Sequence, residues 1–173
     1  MDTIKIKKAT TTDIPQLQAV GRQTFFETFA AHNSAADIQK YLAKSFSAAK
    51  LTREVNDQNS EFYFALLDGK VIGYLKINYG RAQTELKDKK SLEIERIYVL
   101  KDFHGKKVGQ VLFATALNIA MRSKSEYVWL GVWGKNLRAI NFYKKNGFVE
   151  FDKHVFKLGN AEQTDLMMRL NLS

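Results

Sequence analysis

The sequence predicts a mixed α/β (α+β) fold, a central twisted sheet of about seven strands flanked by about four helices. Three observations predict it. A strand, a glycine-bearing loop, a helix and another strand follow one another over residues 91–133, which is the unit that builds parallel strands. Asp68-Gly69 separates two β-rich runs, the signal of a tight hairpin. Two more alternating runs close the chain after its last helix.

Each element has its own local reason. Residues 3–9, TIKIKKA, alternate apolar and charged and read as an edge-like strand. Residues 11–29 read as a helix with Thr12 or Asp13 as its cap. Pro15, the only proline, falls in its first turn, where a missing N–H costs little. Residues 32–46 read as a second helix capped by Asn33 or Ser34. The hairpin covers 60–79, and SLEIERIYVL (91–100) is the next strand. Residues 107–124 place apolar or small side chains at helical spacing: Val108, Val111, Leu112, Thr115, Ala116 and Ile119. A strand over 126–133 and a helix over 136–148 follow, the helix capped by Asn136 and stopped by Asn146-Gly147. Strands over 148–158 and 163–172 complete the order β-α-α-β-β-β-α-β-α-β-β. No repeat, linker or low-complexity stretch interrupts it, so residues 1–173 read as one domain.

Composition narrows the function classes. Hydrophobic residues make up 45% of the 173, enough for a packed core. No apolar run approaches the ~20 residues that span a bilayer. The first residues lack an apolar signal core, so a cytoplasmic protein without a membrane role is the expectation. There is no Cys, which excludes a cysteine nucleophile, a disulfide and a Cys-type zinc site. His32, His104 and His154 are isolated and make no ligand spacing, so no metal is expected. The net charge of +9 calls for an anionic partner: nucleic acid, an acidic surface or a phosphorylated cofactor. No helix concentrates Lys and Arg on one face, which disfavours nucleic acid.

The loop FHGKKVGQVLF (103–113) is the main candidate for an anion site. It fails the Walker pattern, because Gly105 and Gly109 have only three residues between them and Gln110-Val111 follows. It fails the dinucleotide fingerprint, which needs a third glycine in register. What remains is a strand, a short glycine loop and a helix start, which together aim free N–H groups and a helix dipole at one point. Lys106 and Lys107 add charge there. The plainer alternative is a turn at Gly105 and close helix packing at Gly109.

IERIYVLKDFHGKKVGQVLFATAL (94–117), followed by NLRAINFYKKNGF (136–148), resembles the paired signature of the GCN5-related N-acetyltransferase (GNAT) superfamily. The predicted element order matches that fold along essentially the whole chain. SLEIERIYV, WLGVWGKN, AINFYKKNGFV and EQTDLMM further resemble the bacterial spermidine/spermine N-acetyltransferases of the PaiA type. One departure stands out: His104 occupies the family's Gln/Arg position and Lys107 a usual glycine position.

The resemblance implies acetyl-CoA as cosubstrate and acetyl transfer to a small primary amine, a polyamine by preference. It implies main-chain contacts to the pantetheine from Ile97, Tyr98 and Val99. The pyrophosphate would be met by His104, Gly105, Lys106, Lys107, Val108, Gly109 and Gln110, with Asn136 and Lys145 as further coenzyme contacts. Tyr143 would be the general acid beside the sulfur. An ordinary reading stands beside each: Asn136 as a helix cap, Lys145 as a solvated cation, Tyr143 as a packed aromatic. Removing a proton from an ammonium of pKa ~10.4 at pH 7 costs about 4–5 kcal/mol, so a base is needed more than an acid. Glu93 and Glu95 lie two apart on one strand and share a face unless a bulge intervenes, so either is a candidate base, directly or through water. Ion pairing with Arg96 or a lysine is their other reading. Without a thiol, direct transfer in a ternary complex is preferred.

Glu27, among Phe25, Phe26 and Phe29, is a candidate for holding the cationic amine, and those aromatics are cation–π partners or core. The +9 charge opposes a polycationic substrate unless its cleft is locally acidic. A protein N-terminal or lysine acetyltransferase, a nucleic-acid-binding regulator and a catalytically silent coenzyme-binding sensor are the alternatives. Dimers are common among relatives, which leaves a homodimer open.

Overall fold

A computed structural model describes residues 3–172. The strands are β1 (Lys5–Lys8), β2 (Ser60–Leu67), β3 (Lys70–Tyr79), β4 (Ser91–Val99), β5 (Tyr127–Trp133), β6 (Val149–Leu158) and β7 (Ala161–Asn171). The helices are α1 (Ile14–Phe29), α2 (Ala35–Ser45), α3 (Ala48–Asn56), α4 (Val108–Arg122) and α5 (Leu137–Lys145). The strands form one sheet in the order β1-β2-β3-β4-β5-β7-β6. Every neighbouring pair is antiparallel except β4–β5, which the α4 crossover makes parallel.

The helices divide between the two faces. Phe62, Phe64 and Tyr74 meet Leu17, Val20 and Phe25 of α1, Ile38 and Leu42 of α2 and Leu51 of α3. On the other face Leu75, Ile77 and Ile94 pack with Leu112, Phe113 and Ala116 of α4 and Ile140 of α5. Burying both faces explains the long apolar runs in the central strands. No described helix is long and apolar enough to cross a membrane.

The expected elements are present, with one addition. Residues 48–56, unassigned from the sequence, form α3. Ser47 caps it by accepting from the Lys50 N–H at 3.1 Å. Leu51 is its one fully buried side chain, too little periodicity to read in advance. The cap of α1 is Asp13, whose carboxylate accepts from the Thr10 N–H at 2.8 Å.

Two irregularities shape the centre of the sheet. In β4 the register with β3 slips: Lys76 pairs with Arg96 and Ile77 with Ile94, leaving Glu95 as the inserted residue. A bulge of this kind puts two successive side chains on one face. Glu95 reaches Lys76, and Arg96 lies over the Phe46 ring at 4.7 Å, so both face α1–α3. The second irregularity is a seam. β4 and β5 pair only from Ser91↔Tyr127 to Glu93↔Trp129, and beyond that they part.

Candidate active site

The seam opens into a cavity of about 900 Å³, within the range of small-molecule sites (roughly 300–1,000 Å³). Its sheet wall is the far half of β4. The Leu100 N–H bonds to Ile72 O of β3 at 2.9 Å, so by alternation Ile97 and Val99 turn their main-chain groups toward the seam. The His104 ring Nε2 bonds the Val99 carbonyl at 2.8 Å, which leaves the Val99 N–H and the Ile97 groups as the open positions. Tyr98 points to the opposite face and stacks on Tyr74 at 6.2 Å.

The glycine loop forms the end wall. Gly105 has φ +79° with open space where a side chain would be. Lys107 has φ 65°, the left-handed conformation that favours glycine, and stands immediately before α4. No side chain caps α4, so the N–H groups of Val108, Gly109 and Gln110 point outward unclaimed by a capping side chain. Gly105, Lys107, Val108, Gly109 and Gln110 all line the cavity. Lys106 does not. Its ammonium sits 5.5 Å from the centroid of the Phe103 ring.

The opposite wall is α5 and the turn before it. Asn136 lines the cavity and also caps α5, accepting from the Ala139 N–H at 3.3 Å, so both of its readings hold. Lys145 lines the same wall, and Lys135 and Arg138, not singled out from the sequence, add charge beside it. Tyr143 is buried between Phe142 and Phe148, with no hydrogen-bond partner for its hydroxyl among the described residues. Burial raises its phenol far above the ordinary value. Uncapped donors, flanking cations and an open strand edge suit a phosphorylated ligand with an extended arm.

A second, smaller cavity of about 240 Å³ lies on the α1–α3 side. The two adjoin where Glu95, Tyr98, Gly131 and Trp133 line both. Four carboxylates line the smaller one: Glu85, Glu93, Glu95 and Asp165. Three are engaged. Glu93 accepts from the Thr84 N–H at 2.8 Å, from Thr84 Oγ1 at 2.6 Å and from Asn78 Nδ2 at 2.9 Å. Glu95 accepts from Lys76 Nζ and from Asn78 Nδ2, each at 2.8 Å, and lies 3.5 Å from Arg96 Nε. Glu85 meets His154 Nδ1 at 2.6 Å. Asp165 has no side-chain partner among the described residues.

These surroundings set the protonation. Burial raises Glu93 despite its hydrogen bonds. Burial also pushes on Glu95, but Arg96 and Lys76 outweigh it and hold the carboxyl at about 2. Asp165 is pushed up to about 6 by burial, with His154 opposing and Glu85 reinforcing the rise.

The family model described as "Acetyltransferase (GNAT) family" matches residues 23–148. The chain belongs to that family. Membership makes it an N-acetyltransferase with acetyl-CoA as cosubstrate. An uncharacterized N-acetyltransferase from the pepI 3′ region of Lactobacillus delbrueckii subsp. lactis is 40% identical and covers 98% of each chain. A spermidine N(1)-acetyltransferase of Thermoplasma acidophilum is 27% identical over 84% of this chain and 88% of its own. The crystal structure of a PaiA N-acetyltransferase from Thermoplasma acidophilum, in complex with coenzyme A, superposes with a TM-score of 0.81 at 24% identity, covering 98% and 99% of the two chains.

The expected residues thus fall into two groups. Tyr143 lies in the larger cavity with the β4 positions and the loop positions other than Lys106, Glu93 lies in the smaller one, and Glu95 lines both. Glu27 lines the larger cavity and accepts from the Lys101 N–H at 3.0 Å. Sequence reasoning missed Glu85, Asp165, His154 and Trp129, which come from a loop and from strands distant in the chain. No group of three or more His, Asp or Glu suited to a metal occurs among the described residues.

Proposed function

We propose that the protein acetylates a primary amine of the polyamine class, by direct transfer from acetyl-CoA within one ternary complex. The carrying observation is a carboxylate-lined cavity that opens, at Glu95 and Gly131, into the larger cavity with its uncapped helix start. An ammonium drawn there approaches the seam from the α1–α3 side, while the acyl donor lies along β4 from the other.

In this reading Ile97 and Val99 hold the pantetheine by main chain, with Tyr98 between them. Gly105, Lys107, Val108, Gly109 and Gln110 present the donors for pyrophosphate, and His104 fixes the strand end that leads to them. Lys106 acts only by its charge. Asn136 and Lys145 face the donor from α5. Glu95 is ionised at any working pH and serves as the fixed anion at the junction. Glu93, raised by burial, backs it. Tyr143, protonated throughout the neutral range, gives its proton to the departing thiolate. Glu27 braces the loop after β4 and so shapes the donor side.

The net charge of +9 no longer conflicts with a cationic substrate. Carboxylates are concentrated in the acceptor cavity, while Lys107, Lys135, Arg138 and Lys145 surround the donor cavity. The Thermoplasma relative named for spermidine acetylation points the same way. The experiment is thiol release from acetyl-CoA with a panel of polyamines, monoamines and peptides. Polyamines should give the highest kcat/KM. Tyr143→Phe should lower turnover by about 100-fold with little change in coenzyme affinity. Peptides outrunning every polyamine would overturn the substrate class, and full turnover by the Phe variant would overturn the acid.

A further inference from the structure

We propose that Asp165 of β7 is the group that takes the proton from the acceptor ammonium and passes it outward through His154 and Glu85. This deepens the acetyltransfer reading and rests on it.

The placement comes from three strands. Asp165 pairs with Trp133 of β5 on one side and with His154 of β6 on the other. A Cβ built on Gly131 would lie 3.5 Å from Asp165 Oδ2, an ordinary contact distance, so the carboxylate lies directly against Gly131. Gly131 lines both cavities, and Asp165 therefore stands beside their junction. It is also the one lining carboxylate without a side-chain partner among the described residues. Both oxygens of Glu93 already accept hydrogen bonds, and Glu95 is committed to Lys76 and Arg96.

The chemistry agrees. A base works best when its pKa lies near the working pH. Glu95, held at about 2, is too weak a base, whereas Asp165 at about 6 is suited to the task. Across the strand pair His154 stands opposite Asp165, at the ~5 Å of directly paired side chains. His154 in turn bonds Glu85 at 2.6 Å, and both are partly exposed, which gives a route to solvent.

The balance is complete. The acceptor ammonium sheds two protons while its nitrogen forms the bond to the acyl carbon and the carbon–sulfur bond breaks. One proton leaves through Asp165. The other replaces the proton that Tyr143 gives to the thiolate. Amide, free thiol and one released proton result.

The charged and titratable groups around Asp165 are His154 from β6, Glu85 from the loop before β4, and Glu93, Glu95 and Arg96 from β4. The phenols of Tyr41, Tyr74 and Tyr98 line the same cavity. From β5 only Gly131 and the aromatic Trp129 and Trp133 face it.

The test is the pH dependence of kcat/KM in the intact protein, with spermidine and acetyl-CoA. An acid limb near 6 is expected. Asp165→Asn should remove that limb and lower kcat/KM by about 100-fold, with coenzyme binding unchanged by calorimetry. Glu85→Gln should move the limb to lower pH and His154→Gln to higher pH. Retention of the limb and the rate by Asp165→Asn overturns the assignment. Should that variant fail to fold, the other two decide: opposite shifts support Asp165 as the titrating base, and a limb unmoved in both overturns it. No thiol release by the unaltered protein with any amine, despite coenzyme binding, would sink the acetyltransfer reading as well. A wild-type enzyme that turns over beside an unaffected Asp165→Asn sinks this inference alone.

Discussion

At the scale of single residues, the loop before α4 shows how a departure from pattern is accommodated. Lys107 stands where glycine would be relaxed, and its φ of 65° carries the steric cost of left-handed backbone, roughly 1–2 kcal/mol. The turn leaves the first N–H groups of α4 without a capping side chain. The lysine then contributes a cation at the point where a phosphate is expected. Lys107→Gly should raise stability by about 0.5–1 kcal/mol in urea melts, since glycine's unfolded-state entropy cancels part of the relief. The same variant should weaken coenzyme binding a few-fold by loss of one charge. An unchanged melt would show that the backbone there carries no strain.

At the scale of elements, α3 is the piece the sequence concealed, and it is tied to the site. Its Glu54 bonds Lys76 Nζ at 3.1 Å, and Lys76 bonds Glu95 in turn. The helix hangs on Leu51, which has no exposed surface. Leu51→Ala should cost about 2–5 kcal/mol and raise KM for the amine more than for the coenzyme, because Lys76 then loses one of its two carboxylates. Equal effects on both KM values would cut the link between α3 and the acceptor cavity. The strands were legible because their periodicity is local: SLEIERIYV and the hairpin around Asp68-Gly69 carry their own signals. So was the loop at 103–110, where turn chemistry and charge sit in one stretch. The smaller cavity was not. Glu85 lies in a loop without a pattern, Asp165 sits 80 residues later on the last strand, and only sheet pairing makes them neighbours. The bulge that brings Arg96 to the face of Glu95 is equally a product of pairing, and alternation alone places Arg96 on the other side.

At the scale of the whole molecule, the buried ion cluster sets acid stability. Glu95 sits at about 2 in the fold against an ordinary 4.5. Its lowered value means the folded state binds fewer protons, so its contribution is complete above about 4.5 and fades as pH falls toward 2. The size is on the order of 3 kcal/mol, reduced by Glu93, whose raised value acts in the opposite sense. Denaturant midpoints should therefore fall from pH 5 to pH 2.5, and the drop should be smaller in Glu95→Gln, which is less stable at neutral pH. A drop of the same size in both would place the acid sensitivity elsewhere. The short β4–β5 contact has a last consequence. Only three residue pairs form the β4–β5 ladder between the two leaves of the sheet, like a book with a short spine. Under the proposed function, an acyl donor threaded between them would be a clasp as well as a reactant. Amide protons on both facing strands would then exchange more slowly while it is held, and each turnover would end with the book springing ajar.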